Sequence, residues 1–132
     1  MYRHHTESIE KLKEYFLPME GMIAIVLDGS IVKGNERPDS DIDALIVVTE
    51  EKYRKLASEN RLAEVIAGHC TYEGGYFDVK YKTKAILQAS ALHASEPTRN
   101  AYVKARVLYS ADPDIAPLVE KIAAYPAHEL DA

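Results

Sequence analysis

Two aspartates, Asp41 and Asp43, flank one isoleucine at the head of an apolar run that continues to Val48. Side chains alternate along a strand, so both carboxylates project to one side while Ile42 and Ala44 face the other. Two converging carboxylates form an oxygen-only site suited to Mg²⁺ or Mn²⁺, hard cations that complete their shells with water and substrate phosphates. Upstream, the apolar run Met22 to Leu27 leads through Asp28 into Gly29-Ser30. Gly29 lets backbone amides approach an anion closely, Ser30 adds a hydroxyl, and a helical turn starting at Ser30 would aim unpaired N–H groups at a phosphate. Either half alone reads better as a plain turn or as acids that cap and solubilise a strand end. Together they need a reason, because aspartate is disfavoured in strands and two of them interrupt one apolar segment.

The elements that must position these residues follow from periodicity. Ile9, Leu12, Phe16 and Leu17 recur at helical spacing between Thr6 and Leu17, and Pro18 closes that first helix. Met22 to Leu27 and Ile42 to Thr49 are continuous apolar runs, rich in β-branched residues, and read as central strands buried on both faces. The loop between them, Asp28 to Asp41, is built of turn formers. Thr49-Glu50-Glu51 resembles a helix start, and Tyr53, Leu56, Leu62 and Ile66 extend a weaker stripe to Gly68, with a break near Asn60. Tyr76 to Thr83 alternates, with Phe77, Val79 and Tyr81 on one face and Asp78, Lys80 and Lys82 on the other. A helix from Thr83 to Leu92, another with Pro97 in its first turn ending near Lys104, a short strand from Arg106 to Tyr109 and a helix from Asp112-Pro113 to Ala124 complete the chain. The last helix carries an apolar face of Ile115, Leu118, Val119 and Ile122.

Composition narrows the classes further. The 132 residues, 47% apolar and 28% charged, suit one globular domain with a core of its own, which excludes fibrous and disordered chains. A net charge of -5 opposes bulk binding to nucleic acid or an anionic membrane surface. Cys70 is the single cysteine, so no internal disulfide forms; with no apolar stretch of membrane-spanning length and no signal peptide, the expected compartment is the cytoplasm. Nothing near Cys70 would lower its pKa, which reads as packing or surface. His4 and His5 read as part of a mobile polar terminus rather than as metal ligands.

Gly29-Ser30, ten intervening residues, Asp41-Ile42-Asp43 and an apolar strand together resemble the signature of the DNA polymerase β-like nucleotidyltransferase superfamily. The run Gly-Ser-Ile-Val-Lys-Gly followed by Arg37-Pro-Asp-Ser-Asp-Ile-Asp is most similar to its small bacterial members, the minimal and antibiotic nucleotidyltransferases. Asp28 departs from the pattern, which usually has an apolar or aromatic residue before the glycine. The resemblance implies an α+β fold with a mixed central sheet flanked by helices. It implies that Asp41 and Asp43 share Mg²⁺ or Mn²⁺ and that Asp78, on the polar face of a later strand, joins them and helps deprotonate the acceptor. Gly29 and Ser30 would hold the β- and γ-phosphates of a nucleoside triphosphate. Arg99 and Ser30 lead the residues expected near that anion, although an ordinary surface arginine explains Arg99 better.

The expected reaction transfers a nucleoside monophosphate, AMP from ATP, to a hydroxyl of a small molecule or protein and releases pyrophosphate. A second reading keeps the fold as a nucleotide-binding regulatory or antitoxin-like partner with little or no transfer activity. Residues 1–132 would form a single nucleotidyltransferase domain or the catalytic half of a longer protein, with a homo-oligomer or a helical partner domain completing it.

Overall fold

The computed structural model describes residues 1–93 and 96–124. The first helix, α1 (Arg3–Phe16), buries His5, Ser8, Ile9, Leu12 and Phe16 on one stripe, a spacing of three and four that matches the helical repeat. It starts three residues before the expected Thr6, because His5 and Ser8 belong to the buried stripe even though neither is apolar. Next come β1 (Met22–Asp28), the single turn α2 (Gly29–Lys33) and β2 (Ile42–Val48). The remaining elements are α3 (Glu50–Ser58), β3 (Ala63–Ala67), β4 (Tyr76–Thr83), α4 (Lys84–His93), α5 (Glu96–Tyr102), β5 (Arg106–Ser110) and α6 (Ile115–Ala123).

The five strands form one sheet in the order β3-β4-β2-β1-β5. The β2–β4 pair is parallel, whereas β1–β2, β1–β5 and β3–β4 are antiparallel. This is the expected mixed α+β sheet. One face carries Ile25, Leu27, Ile42, Ile46, Phe77, Val79 and Tyr81 and packs against Leu12 and Phe16 of α1 and Leu56 of α3. On the opposite face Ala24, Val26, Leu45 and Val47 meet Leu87, Tyr102, Ile115, Val119 and Ile122 from α4, α5 and α6. The apolar side of α6 is therefore packed against its own sheet, with Ile115 0% and Ile122 1% exposed. Among the described residues no helix is long and apolar enough to cross a membrane.

The segment from Thr49 to Gly68 corrects the expectation of one broken helix. Thr49 caps α3 as expected, its hydroxyl accepting from the Lys52 N–H at 3.2 Å. Asn60 then adopts a left-handed backbone (φ 56), which ends the helix, and Ala63–Ala67 forms the edge strand β3 instead. Leu62 and Ile66 are four apart and fit a helix; Leu62, Glu64 and Ile66 also alternate, and five residues are too few for periodicity to decide. The free edge of β4 decides it, offering both a ladder and the Tyr81 hydroxyl, which donates to Glu64 at 2.5 Å.

The sheet depends on α1 to cover one face, so Phe16→Ala should destabilise the protein by about 3–5 kcal/mol through loss of a fully buried ring. Val65→Thr, at a side chain 63% exposed, should stay within about 0.5 kcal/mol of the parent in the same urea titration. Equal losses at the two positions would contradict this assignment of core and edge.

Candidate active site

Register brings the acids together. Asp43 of β2 is paired with Asp28 of β1 on one side and with Asp78 of β4 on the other. Residues in register share a face, so three aspartates from three adjacent strands lie in one row. Asp41 stands one alternation before Asp43, just outside β2. Carboxylate oxygens of Asp41, Asp43 and Asp78 all lie within 4.8 Å of one another. Three convergent, partly exposed carboxylates are a donor set for a hard divalent cation with positions left for water or substrate oxygens.

Gly29 is shaped by this row. It has φ +78 at the junction of β1 and α2, and a Cβ built there would lie 2.6 Å from Asp43 Cγ. Both the left-handed backbone and the close approach of Asp43 therefore exclude any side chain at this position. The glycine expected to admit a phosphate also makes room for a carboxylate.

Two cavities meet at Asp43. The larger, about 540 Å³, sets the donors of Ser30, Asn35, Arg37 and Ser40 beside the carboxylates of Asp39, Asp41 and Asp43. The smaller, about 340 Å³, holds Asp28, Lys33, Asp43, Asp78, Lys80 and Asn100. Gly29 lines the smaller cavity and Ser30 the larger, so the turn expected to bind phosphate stands at their boundary. Arg99 is buried in α5, 7% exposed, and among the described residues that helix contributes Asn100 and Ala101 to the smaller cavity.

Burial, joined by crowding of like charge, shows in the protonation of the row. The Asp43 carboxyl is pushed up to about 7, first by burial and then by the charges of Asp28, Asp78 and Asp41, with Lys80 opposing. Asp28 is pushed up to about 6, chiefly by burial, with Lys80 drawing it down and Asp78 adding to the rise. The Asp41 carboxylate beside the Tyr76 hydroxyl raises the phenol above its ordinary value. A cluster whose central acid resists ionisation lacks positive charge, and a divalent cation would supply it.

Several of these groups escaped the sequence. Asp28 stood out only as a departure in the motif, yet it is the third member of the strand row. Tyr76 opens β4 beside Asp41, with no local pattern to mark it. His4 and His5 are corrected outright: rather than a mobile terminus they form part of α1, with His5 0% exposed. Their ring nitrogens hydrogen-bond the carbonyls of Pro38 (2.7 Å) and Ser40 (3.0 Å), in the loop that leads to Asp41. Burial and then the neighbouring His4 lower the His5 pKa, which favours the neutral ring.

The row carries a stability cost that depends on pH. Folded Asp43 keeps its proton to about pH 7, whereas an unfolded aspartate releases it near pH 3.9. Between those limits the folded state binds more protons than the unfolded state, so this contribution is intact below the lower value and is lost as pH rises through the upper one. With metal chelated, the melting temperature of Asp43→Asn relative to the parent should therefore climb between about pH 4.5 and pH 8. A pH-independent difference would show that Asp43 is not under charge strain.

Residues 9–100 match the family described as nucleotidyltransferase domain. No curated protein sequence matches the chain. A solved structure described as "Crystal structure of the toxin-antitoxin with AMP-PNP" is similar over 98% of this chain and 92% of that one, with 18% identity and a TM-score of 0.44. With the family match spanning well over half of the sequence and including Gly29, Ser30, Asp41, Asp43 and Asp78, the chain belongs to the nucleotidyltransferase domain family.

Proposed function

We propose that this chain is a divalent-metal-dependent enzyme that transfers AMP from ATP to a hydroxyl of a small molecule or protein and releases pyrophosphate. The observation that carries the reading is the convergence of Asp41, Asp43 and Asp78 within 4.8 Å beside the Gly29-Ser30 turn. Asp41, Asp43 and Asp78 are the residues that would hold Mg²⁺ or Mn²⁺. When bound, the metal offsets charge on the triphosphate and on the attacking and leaving oxygens.

The two cavities divide the work. Ser30, Asn35 and Arg37 face the larger one, where hydroxyl, amide and guanidinium donors suit the β- and γ-phosphates. Gly29 leaves that turn free of a side chain, and α2 presents its first backbone N–H groups there. Arg99, expected beside the phosphates, lines neither of these two cavities and lies buried in α5, whose Asn100 and Ala101 line the smaller one. Asp78 lines the smaller cavity and not the larger, which supports a role for it on an acceptor side opposite the triphosphate. Its carboxylate takes the proton of the acceptor hydroxyl as that oxygen bonds to the α-phosphorus and the bond to pyrophosphate breaks. Lys33 and Lys80 border the same cavity and offset the negative charge of its acids.

The test is transfer of label from α-labelled ATP, with Mg²⁺, to a panel of hydroxyl-bearing small molecules and to proteins, alongside pyrophosphate release. Asp41→Asn and Asp43→Asn should each lower both signals by more than about 100-fold, and Ser30→Ala by roughly 10-fold. Chelation should abolish transfer and added Mn²⁺ restore it. Retained transfer in both aspartate variants would overturn the reading. Metal-dependent ATP binding with no transfer to any acceptor would favour a nucleotide-binding regulatory protein of the same fold.

A further inference from the structure

Asp41 is the one member of the carboxylate cluster that the sheet does not hold. The β2–β4 ladder begins at Ile42 and Phe77, and the β1–β2 ladder ends at Asp28 and Asp43. Asp41 lies beyond both, at the end of the loop that follows α2. Its carboxylate can converge with those of Asp43 and Asp78 only if something else fixes the peptide that carries it.

That peptide is gripped at its carbonyl. The Ser40 C=O accepts from the Tyr72 hydroxyl at 2.6 Å and from His5 Nε2 at 3.0 Å. The remaining polar groups of Ser40 are also engaged: its N–H donates to the Arg37 carbonyl at 3.0 Å, and its hydroxyl accepts from the Arg37 N–H at 2.8 Å. Because the peptide is planar, fixing the Ser40 carbonyl fixes the Asp41 N–H and Cα with it.

The grip comes from two distant parts of the chain. His5 is wholly buried in the first turns of α1, while Tyr72 lies between β3 and β4. Their rings meet edge to face at 5.2 Å, and His4 packs against Tyr72 at 4.6 Å while bonding the Pro38 carbonyl. Thr71 ties the two segments together, its N–H donating to Ser8 Oγ at 3.0 Å and its hydroxyl to the His4 carbonyl at 3.2 Å. To donate to a carbonyl, His5 must carry its proton on Nε2. Its Nδ1 is then left buried without a partner among the described residues. A buried acceptor left unsatisfied is costly, and the geometry retains it in order to keep the bond to Ser40.

We propose that His5 and Tyr72 are positioning residues that latch the Ser40 carbonyl from two sides and so aim the Asp41 carboxylate into the metal-binding cluster. The inference rests on the reading of Asp41 as a metal ligand, and the test separates the two. The probe is Mn²⁺ alone, titrated into the full chain and followed by the electron paramagnetic resonance of the free ion. Tyr72→Phe, which removes one oxygen, should weaken Mn²⁺ binding by roughly 10-fold, as should His5→Leu. His5→Gln, which can still donate to the carbonyl, should bind more tightly than His5→Leu. The rise in melting temperature on adding Mn²⁺ should shrink in Tyr72→Phe and His5→Leu and recover in His5→Gln, a pattern that a purely structural role would not produce. If Asp41→Asn loses Mn²⁺ affinity while Tyr72→Phe and His5→Leu bind like the parent, the latch is wrong and the metal site stands. If Asp41→Asn itself binds like the parent, Asp41 is no ligand and the latch falls with it. Should His5→Leu fail to fold, Tyr72→Phe decides the matter alone.

Discussion

Pairing of β2 with β1 on one side and β4 on the other forces Asp28, Asp43 and Asp78 onto a single row, where like charges repel in a partly buried setting. Nothing in the row favours that arrangement by itself: burial first, and then the neighbouring carboxylates, raise the pKa of Asp43, and burial chiefly raises that of Asp28. The apolar remainder of the same strands enforces it. Ile42, Ala44 and Ile46 alternate with Asp43, Leu45 and Val47, and each set faces a different helical layer. A slip of one residue would exchange the faces, sending Asp43 into the α1 and α3 side and breaking both cores. Hydrophobic packing thus fixes a register that electrostatics alone would reject, and a convergent carboxylate cluster is the consequence.

The turn at the end of β1 answers to the same constraint. Gly29 must be left-handed to enter α2, and it must lack a Cβ because Asp43 occupies that space. The backbone of this turn and the Asp43 carboxylate are therefore fitted to each other. Asp43 borders both cavities, which makes it the hinge of the site's geometry. Asp41 obeys a different constraint. It lies outside the ladders, and its placement depends on the bonds that α1 and the β3–β4 connection make to Ser40.

What the sequence reveals and what it conceals follow from the range of the interactions. Asp41 and Asp43 can be read from local alternation, and Asp78 from the alternating face of β4, because a strand's sidedness is written in two or three residues. The central strands are legible for the same reason, as continuous β-branched runs buried on both faces. Asp28 looks anomalous in isolation, since its meaning lies in pairing with Asp43 fifteen positions on, which no local pattern encodes. The segment after Asn60 is misread as helix because a five-residue strand satisfies both periodicities until β4 supplies a partner. His4 and His5 look like a polar terminus because the groups that bury and bond them, Tyr72, Pro38 and Ser40, lie more than thirty residues away.

The central claim is that the carboxylate cluster is a metal site adjoining the phosphate turn. Anomalous diffraction from crystals grown with Mn²⁺ and a nonhydrolysable ATP analogue tests it most directly. Manganese signal is expected in coordination contact with Asp41 and Asp43, next to triphosphate oxygens that approach Gly29 and Ser30. Manganese absent from the cluster while the analogue is bound, or an analogue seated away from Ser30, would contradict it.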